Sequence, residues 1–141
     1  MNFAEKKEKL LRYRKLLQKS KILENELKEF EMRAMTLATH ITPGETDKVR
    51  ASGGKNDLNK ITAYAERDEI FKLKLREKKK ADDEMLDILL AINAIENIDF
   101  QNAVYCYFVL DMSYAEIAYQ YNIAESTARW RRDRGIEEIY F

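Results

Sequence analysis

An all-α protein is what this sequence predicts, and three observations carry that reading. Only four Gly and one Pro interrupt 141 residues, so few positions can stop a helix. Apolar residues recur at alternating steps of three and four, the helical period, rather than at the step of two that strands require. Charged residues make up 35% and hydrophobic residues 45%, a mixture suited to long helices that bury one seam and solvate the rest. The expected architecture is a long N-terminal helical hairpin or coiled coil followed by a compact C-terminal helix-turn-helix domain.

The first element covers 1–39. Its best seam is Leu16, Ser20, Leu23, Leu27, Phe30, Ala34 and Leu37, whose alternating steps suit oligomerisation or packing against another helix. Upstream, Lys6, Lys7, Lys9, Arg12, Arg14 and Lys15 outnumber Glu5 and Glu8. A solvated helix face is the first reading of that excess and a phosphate-contacting surface the second. Periodicity then vanishes over 40–57, where Thr42-Pro43-Gly44 and Ser52-Gly53-Gly54 carry turn chemistry, so a flexible connection is expected. His40 is the chain's single histidine, which excludes a multi-histidine metal cluster and leaves a helix-end role.

A second long helix is expected over 58–83, with Asp57 as its N-cap. Ile61, Tyr64, Phe71, Leu75, Met85, Leu89 and Ile92 keep its seam, interrupted by Asp68, Lys78 and Asp82. The polar run from Arg76 to Glu84 is either an exposed helical stretch or a hinge. The compact domain is placed at 84–141, with Leu86, Ile88, Leu89, Leu90, Ile92, Ile95, Ile98, Phe100, Val104, Phe108 and Leu110 as core candidates and Asp99 capping a helix from Phe100 to about Val109. The lone cysteine, Cys106, excludes an intramolecular disulfide, fits a reducing compartment and reads as a small buried hydrophobe. No apolar run approaches the roughly 18 residues of a membrane span, and the charged N-terminus lacks a signal-peptide core. The expectation is a cytoplasmic protein with no membrane partner.

The stretch from Ser113 to about Ile139 carries the functional signal. Ser113 followed by Glu116 is a capping box that starts a helix of about two turns. Ile117 and Tyr121 point inward, Ala118 is small where two helices cross, and Asn122 suits a left-handed turn position. Ile123 anchors the turn, and a second helix starts near Glu125 with Ala128 as its small inward residue. Outward lie Glu125, Ser126, Arg129 and Trp130, then Arg131, Arg132 and Arg134, giving four arginines within six residues. Arginine's planar fork bridges guanine O6 and N7 or clamps a phosphate, and Thr127 with the free N–H groups of the first turn suits a phosphate oxygen. The sum of charge opposes this: 25 basic and 25 acidic residues cancel, so any affinity for DNA must come from local clustering.

Residues Ser113 to Ile139 resemble region 4 of bacterial sigma factors, which pairs a Ser-x-x-Glu-Ile-Ala start with a turn and a Ser/Thr-then-Arg recognition helix. The wider layout is similar to phage late-gene transcription regulators of the ArpU/RinA type. Those also have an N-terminal helix, a Gly/Ser-rich loop, a long second helix and a sigma-like C-terminal hairpin. The motif covers under a quarter of the chain, and the remainder matches in layout only. The resemblance implies a DNA-binding regulator of phage gene expression, with base contacts at Glu125, Ser126, Arg129 and Trp130 and phosphate contacts at Thr127, Arg131, Arg132 and Arg134. This chain departs from the pattern where Ala124 replaces a capping Ser, Asn122 a Gly, and Arg132 an apolar residue.

The function expected is a sequence-specific regulator that binds double-stranded DNA as a homodimer or tetramer through its long helices, with host RNA polymerase as a candidate partner. The alternatives are a packaging protein like the small terminase subunits of phages, and a protein-binding module that targets host polymerase or sigma factor. Nothing resembles a nucleotide-binding Gly loop, a metal-ligand cluster or a catalytic carboxylate pair, so neither an enzyme nor a cofactor is expected.

Overall fold

The computed structural model describes the backbone of residues 1–40 and 54–141, and the side chains of 1–35 and 65–141. Every described element is helical: α1 (Phe3–His40), α2 (Gly54–Asn93), α3 (Ile98–Val104), a π-helical turn (Tyr105–Val109) that continues α3, α4 (Tyr114–Tyr121) and α5 (Glu125–Glu138). The protein is all-α. Residues 41–53 of the expected loop lie outside the described residues, as do the side chains of Leu37, His40, Ile61 and Tyr64. Among the described residues, no helix is long and apolar enough to cross a membrane.

Local chemistry explains most boundaries. Asn2 and Glu5 form a reciprocal capping box at the start of α1, with Glu5 N donating to Asn2 Oδ1 at 2.9 Å and Asn2 N donating to Glu5 Oε2 at 3.0 Å. α2 begins at Gly54, so Asp57 stands inside the helix and not at its N-cap. It also runs unbroken through 76–84, so that polar run is helical. Asn97, not Asp99, caps α3, its Oδ1 accepting from Asp99 N at 2.9 Å and Phe100 N at 3.3 Å.

The chain divides into two compact units, one of Met1–Lys19 with Ala81–Phe141, the other of Ser20–Lys80. In the second unit, α1 and α2 meet through an edge-on contact between the Phe30 and Phe71 rings, 6.2 Å between centroids. Lys74 lies over the Phe30 ring at 5.6 Å and pairs with Glu26. Leu23 and Ser20 are buried as the seam requires, whereas Leu75 is 45% exposed because the buried face of α2 passes through other positions.

The first unit holds the main core: Leu10, Tyr13 and Leu16 of α1 pack with Ala81, Ile88, Ala91, Ile92, Ile95, Phe100, Val104, Phe108, Ile136 and Ile139. The compact region is therefore not 84–141 alone, since residues 1–19 complete its core. Four of the basic residues expected to face solvent or phosphate, Lys6, Lys9, Arg12 and Arg14, serve that docking. Lys6 Nζ donates to Glu137 O at 2.8 Å, where cations suit the carbonyl end of a helix. Lys9 sits 4.6 Å above the Phe141 ring, Arg12 meets Glu84 at 3.1 Å, and Arg14 binds Asp111 at 2.7 Å and the Tyr107 carbonyl. Of the core candidates, Leu86, Leu90, Ile98 and Leu110 are instead more than half exposed, the first three because α2 and α3 bury only one stripe each and Leu110 because it follows the end of the π-helical turn.

Two positions tolerate little change. A Cβ on Gly135 would overlap the Val104 side chain and come within 2.9 Å of Phe100 O, so α3 and α5 approach here as only glycine allows. Gly135→Ala is expected to lose about 1–3 kcal/mol in urea denaturation, although alanine is the better helix former. Asn122 takes φ 52 and ψ 50, left-handed values that cost most residues about 1–2 kcal/mol. Thermal melts should therefore show Asn122→Ala destabilised by about 1 kcal/mol and Asn122→Gly close to the parent.

Candidate nucleic-acid interface

The C-terminal hairpin is built around its turn. Ser113 Oγ accepts from Glu116 N at 3.2 Å and starts α4. At the other end, Asn122 turns left-handed and lets Ile123 N return to Ala118 O at 2.9 Å, which closes the last turn of α4. α5 follows from Ala124, which offers no side-chain cap. Buried Ile117, Ala128 and Cys106 form a second small core, flanked by Tyr107, Met112, Tyr114, Tyr121 and Ile123. The small residues at the crossing, Ala118 at 7% exposure and Ala128 at 0%, let the two helices sit close. Cys106 Sγ lies 3.6 Å from Tyr121 Oη. Burial and that thiol contact push the Tyr121 phenol up to about 12.

α5 buries one face, Ala128, Arg132, Gly135 and Ile136, against α3, α4 and the first unit's core. Its opposite face carries Ser126, Trp130 and Arg134, spaced one turn apart, with Glu125 and Arg129 exposed beside them. Thr127 is half-buried. The residues expected to touch bases, Glu125, Ser126, Arg129 and Trp130, are thus all exposed on the N-terminal half of α5.

The arginines do not form the single cluster expected of them, because successive helical residues turn by about 100°. Arg129 stands 5.7 Å from the Tyr114 ring. Arg131 turns towards α3, 3.9 Å from Asp99. Arg134 points outward, lying 5.9 Å from the Trp130 ring and bound to Glu137 at 3.1 Å.

Arg132 is the clear correction. Its residue exposure is 5%, its guanidinium sits 4.6 Å from the Tyr107 ring and 5.2 Å from the Tyr114 ring, and Asp133 holds it at 2.7 Å. It cannot reach a phosphate. The resemblance calls for an apolar residue here, and Arg132 fills that space with its stem while aromatic faces take the charge. Ile136 and Ile139, at 0% and 1% exposure, secure the rest of the helix.

Sequence reasoning missed three supports of this surface: Gly135, the Phe100 ring against Trp130 (5.4 Å, 82° between planes), and the Tyr107–Tyr114 stack (5.1 Å) under Arg132. Only Gly135 left a signal, as an isolated glycine inside a helical pattern. The aromatic contacts join different elements, Phe100 of α3 to Trp130 of α5 and Tyr107 of the π-helical turn to Tyr114 of α4.

Arg132→Ala should lose about 2–3 kcal/mol, since it leaves a cavity and removes the cation–aromatic contacts. Arg132→Met keeps the volume and should stay within about 1.5 kcal/mol of the parent. Urea denaturation of the two variants tests whether Arg132 serves packing.

No protein-family model, curated protein or solved structure matches the chain.

Proposed function

We propose that this protein is a sequence-specific DNA-binding transcription regulator of the kind phages and prophages encode, acting in the bacterial cytoplasm as a helical homo-oligomer. The observation that carries the reading is the hairpin: α5 is clamped on one face through Ala128, Gly135 and Ile136, while Ser126, Arg129 and Trp130 are exposed to solvent. At 14 residues α5 is about 21 Å long, and its width suits a major groove about 12 Å across. In this reading Arg129 is the guanine reader, and Arg134 and Thr127 reach phosphate. Arg131 is shared between Asp99 and the DNA backbone, and Arg132 takes no part. Two copies would set two α5 helices about one DNA turn apart. Leu86 and Leu90, exposed one turn apart on α2, supply apolar surface for association.

Electrostatics make this a weakly charged DNA binder. α5 has four arginines against Glu125, Asp133, Glu137 and Glu138, which cancel them. Few phosphates are neutralised, so affinity should fall only gently with salt. The same balance favours a second reading, a protein-binding module that docks on host RNA polymerase. Stable association with purified polymerase together with no salt-dependent DNA affinity would select it.

Selection of bound duplexes from random-sequence DNA, followed by gel shifts, tests the main reading. Arg129→Ala is expected to weaken the selected site by about 1–3 kcal/mol with the thermal melt little changed, and Trp130→Ala to weaken it similarly while losing about 1 kcal/mol of stability with the Phe100 contact but keeping a cooperative melt. Parent-like affinity in both variants would remove this face of α5 from the interface.

A further inference from the structure

We propose that Trp130 reads the 5-methyl group of a thymine, and that Phe100 and Arg134 are positioning residues that hold its indole for the contact. This rests on the DNA-binding reading and deepens it. Trp130 is the chain's single tryptophan and is 55% exposed on the outward face of α5. It is nonetheless held on two sides. The Phe100 ring, itself 9% exposed, meets it nearly perpendicular at 5.4 Å. The Arg134 guanidinium lies 5.9 Å from the indole centroid and is itself anchored by Glu137 at 3.1 Å. Phe100 belongs to the segment of α3 that presses against Gly135, so the support comes from a close helix crossing with no room for a Cβ. An aromatic ordered before binding loses little conformational freedom when a partner covers it.

Chemistry then selects the partner group. Inside a duplex the faces of the bases are stacked, and only their edges are open. The major-groove edges present hydrogen-bond donors and acceptors, plus one apolar feature, the thymine 5-methyl. The indole's exposed carbon surface matches that methyl. Ser126 one turn before it and Arg134 one turn after remain for polar edges and phosphate.

The test uses the full chain and duplexes recovered from random-sequence DNA, remade with deoxyuridine replacing each thymine in turn. The expected result is a position where losing the methyl weakens binding about fourfold. Trp130→Ala should bind the thymine and deoxyuridine duplexes equally, while Trp130→Phe should keep the difference. Tryptophan emission reports Trp130 alone, and the thymine duplex should shield it from a soluble quencher. Phe100→Leu should lower the emission anisotropy of the free chain and bring the thymine-to-deoxyuridine ratio towards one, with Phe100→Tyr restoring both. A parent ratio of one at every thymine, or an unchanged ratio in Trp130→Ala, overturns the proposal while DNA binding stands. Recovery of no duplex overturns the DNA reading, and the proposal with it.

Discussion

The close approach of α3 and α5 at Gly135 is the constraint on which the C-terminal hairpin depends. With no side chain at 135, Val104 and the Phe100 carbonyl fill the space a Cβ would need, and Ile136 beside it reaches the main core. That seat orients the whole of α5, because a rigid helix with one face buried has its opposite face determined. It also brings the Phe100 ring against Trp130. A wider crossing would loosen the core and the exposed aromatic together, since both depend on the same few atoms of α3.

Several charged side chains in this protein help hold the fold together. Arg132 lies against the Tyr107 and Tyr114 rings and is bound by Asp133, Arg131 approaches Asp99, and Arg134 binds Glu137. At the other end of the sequence, Lys6, Arg12 and Arg14 tie α1 to a helix carbonyl, a glutamate and the π-helical turn. Arg14 matters there because the π-helical turn and the left-handed Asp111 (φ 56) break the regular helix pattern, and its guanidinium takes the Tyr107 carbonyl. Part of the positive charge of this chain is therefore engaged within the fold. Arg129 is the arginine of α5 for which, among the described residues, an aromatic neighbour but no ion pair is recorded.

Legibility followed distance along the chain. The turn of the hairpin could be read directly: Ser113 caps, Asn122 turns left-handed, Ile117, Ala118 and Ala128 face inward. Each of those roles follows from local backbone chemistry within a few residues. The seam of α1 was legible at Leu16, Ser20 and Leu23 and fades through half-buried Leu27 and Phe30 to exposed Ala34, but it also includes Leu10 and Tyr13, whose neighbours come from the far end of the sequence. Leu86, Leu90, Ile98 and Leu110 looked like core by hydrophobicity alone, yet they are exposed.

By itself, then, the sequence determined an all-α chain and a capped, left-handed turn between two short helices, because spacing and backbone preference act over one or two turns. Tertiary structure decided the rest. It drew residues 1–19 into the C-terminal unit, since the stripe of α2 from Ala81 to Ile92 needs a partner helix to cover it. It removed Arg132 from the candidate interface, because a helical residue's exposure depends on what packs against its face. It also placed Trp130 between Phe100 and Arg134, a contact 30 residues apart in sequence between Phe100 and Trp130 that no local pattern encodes.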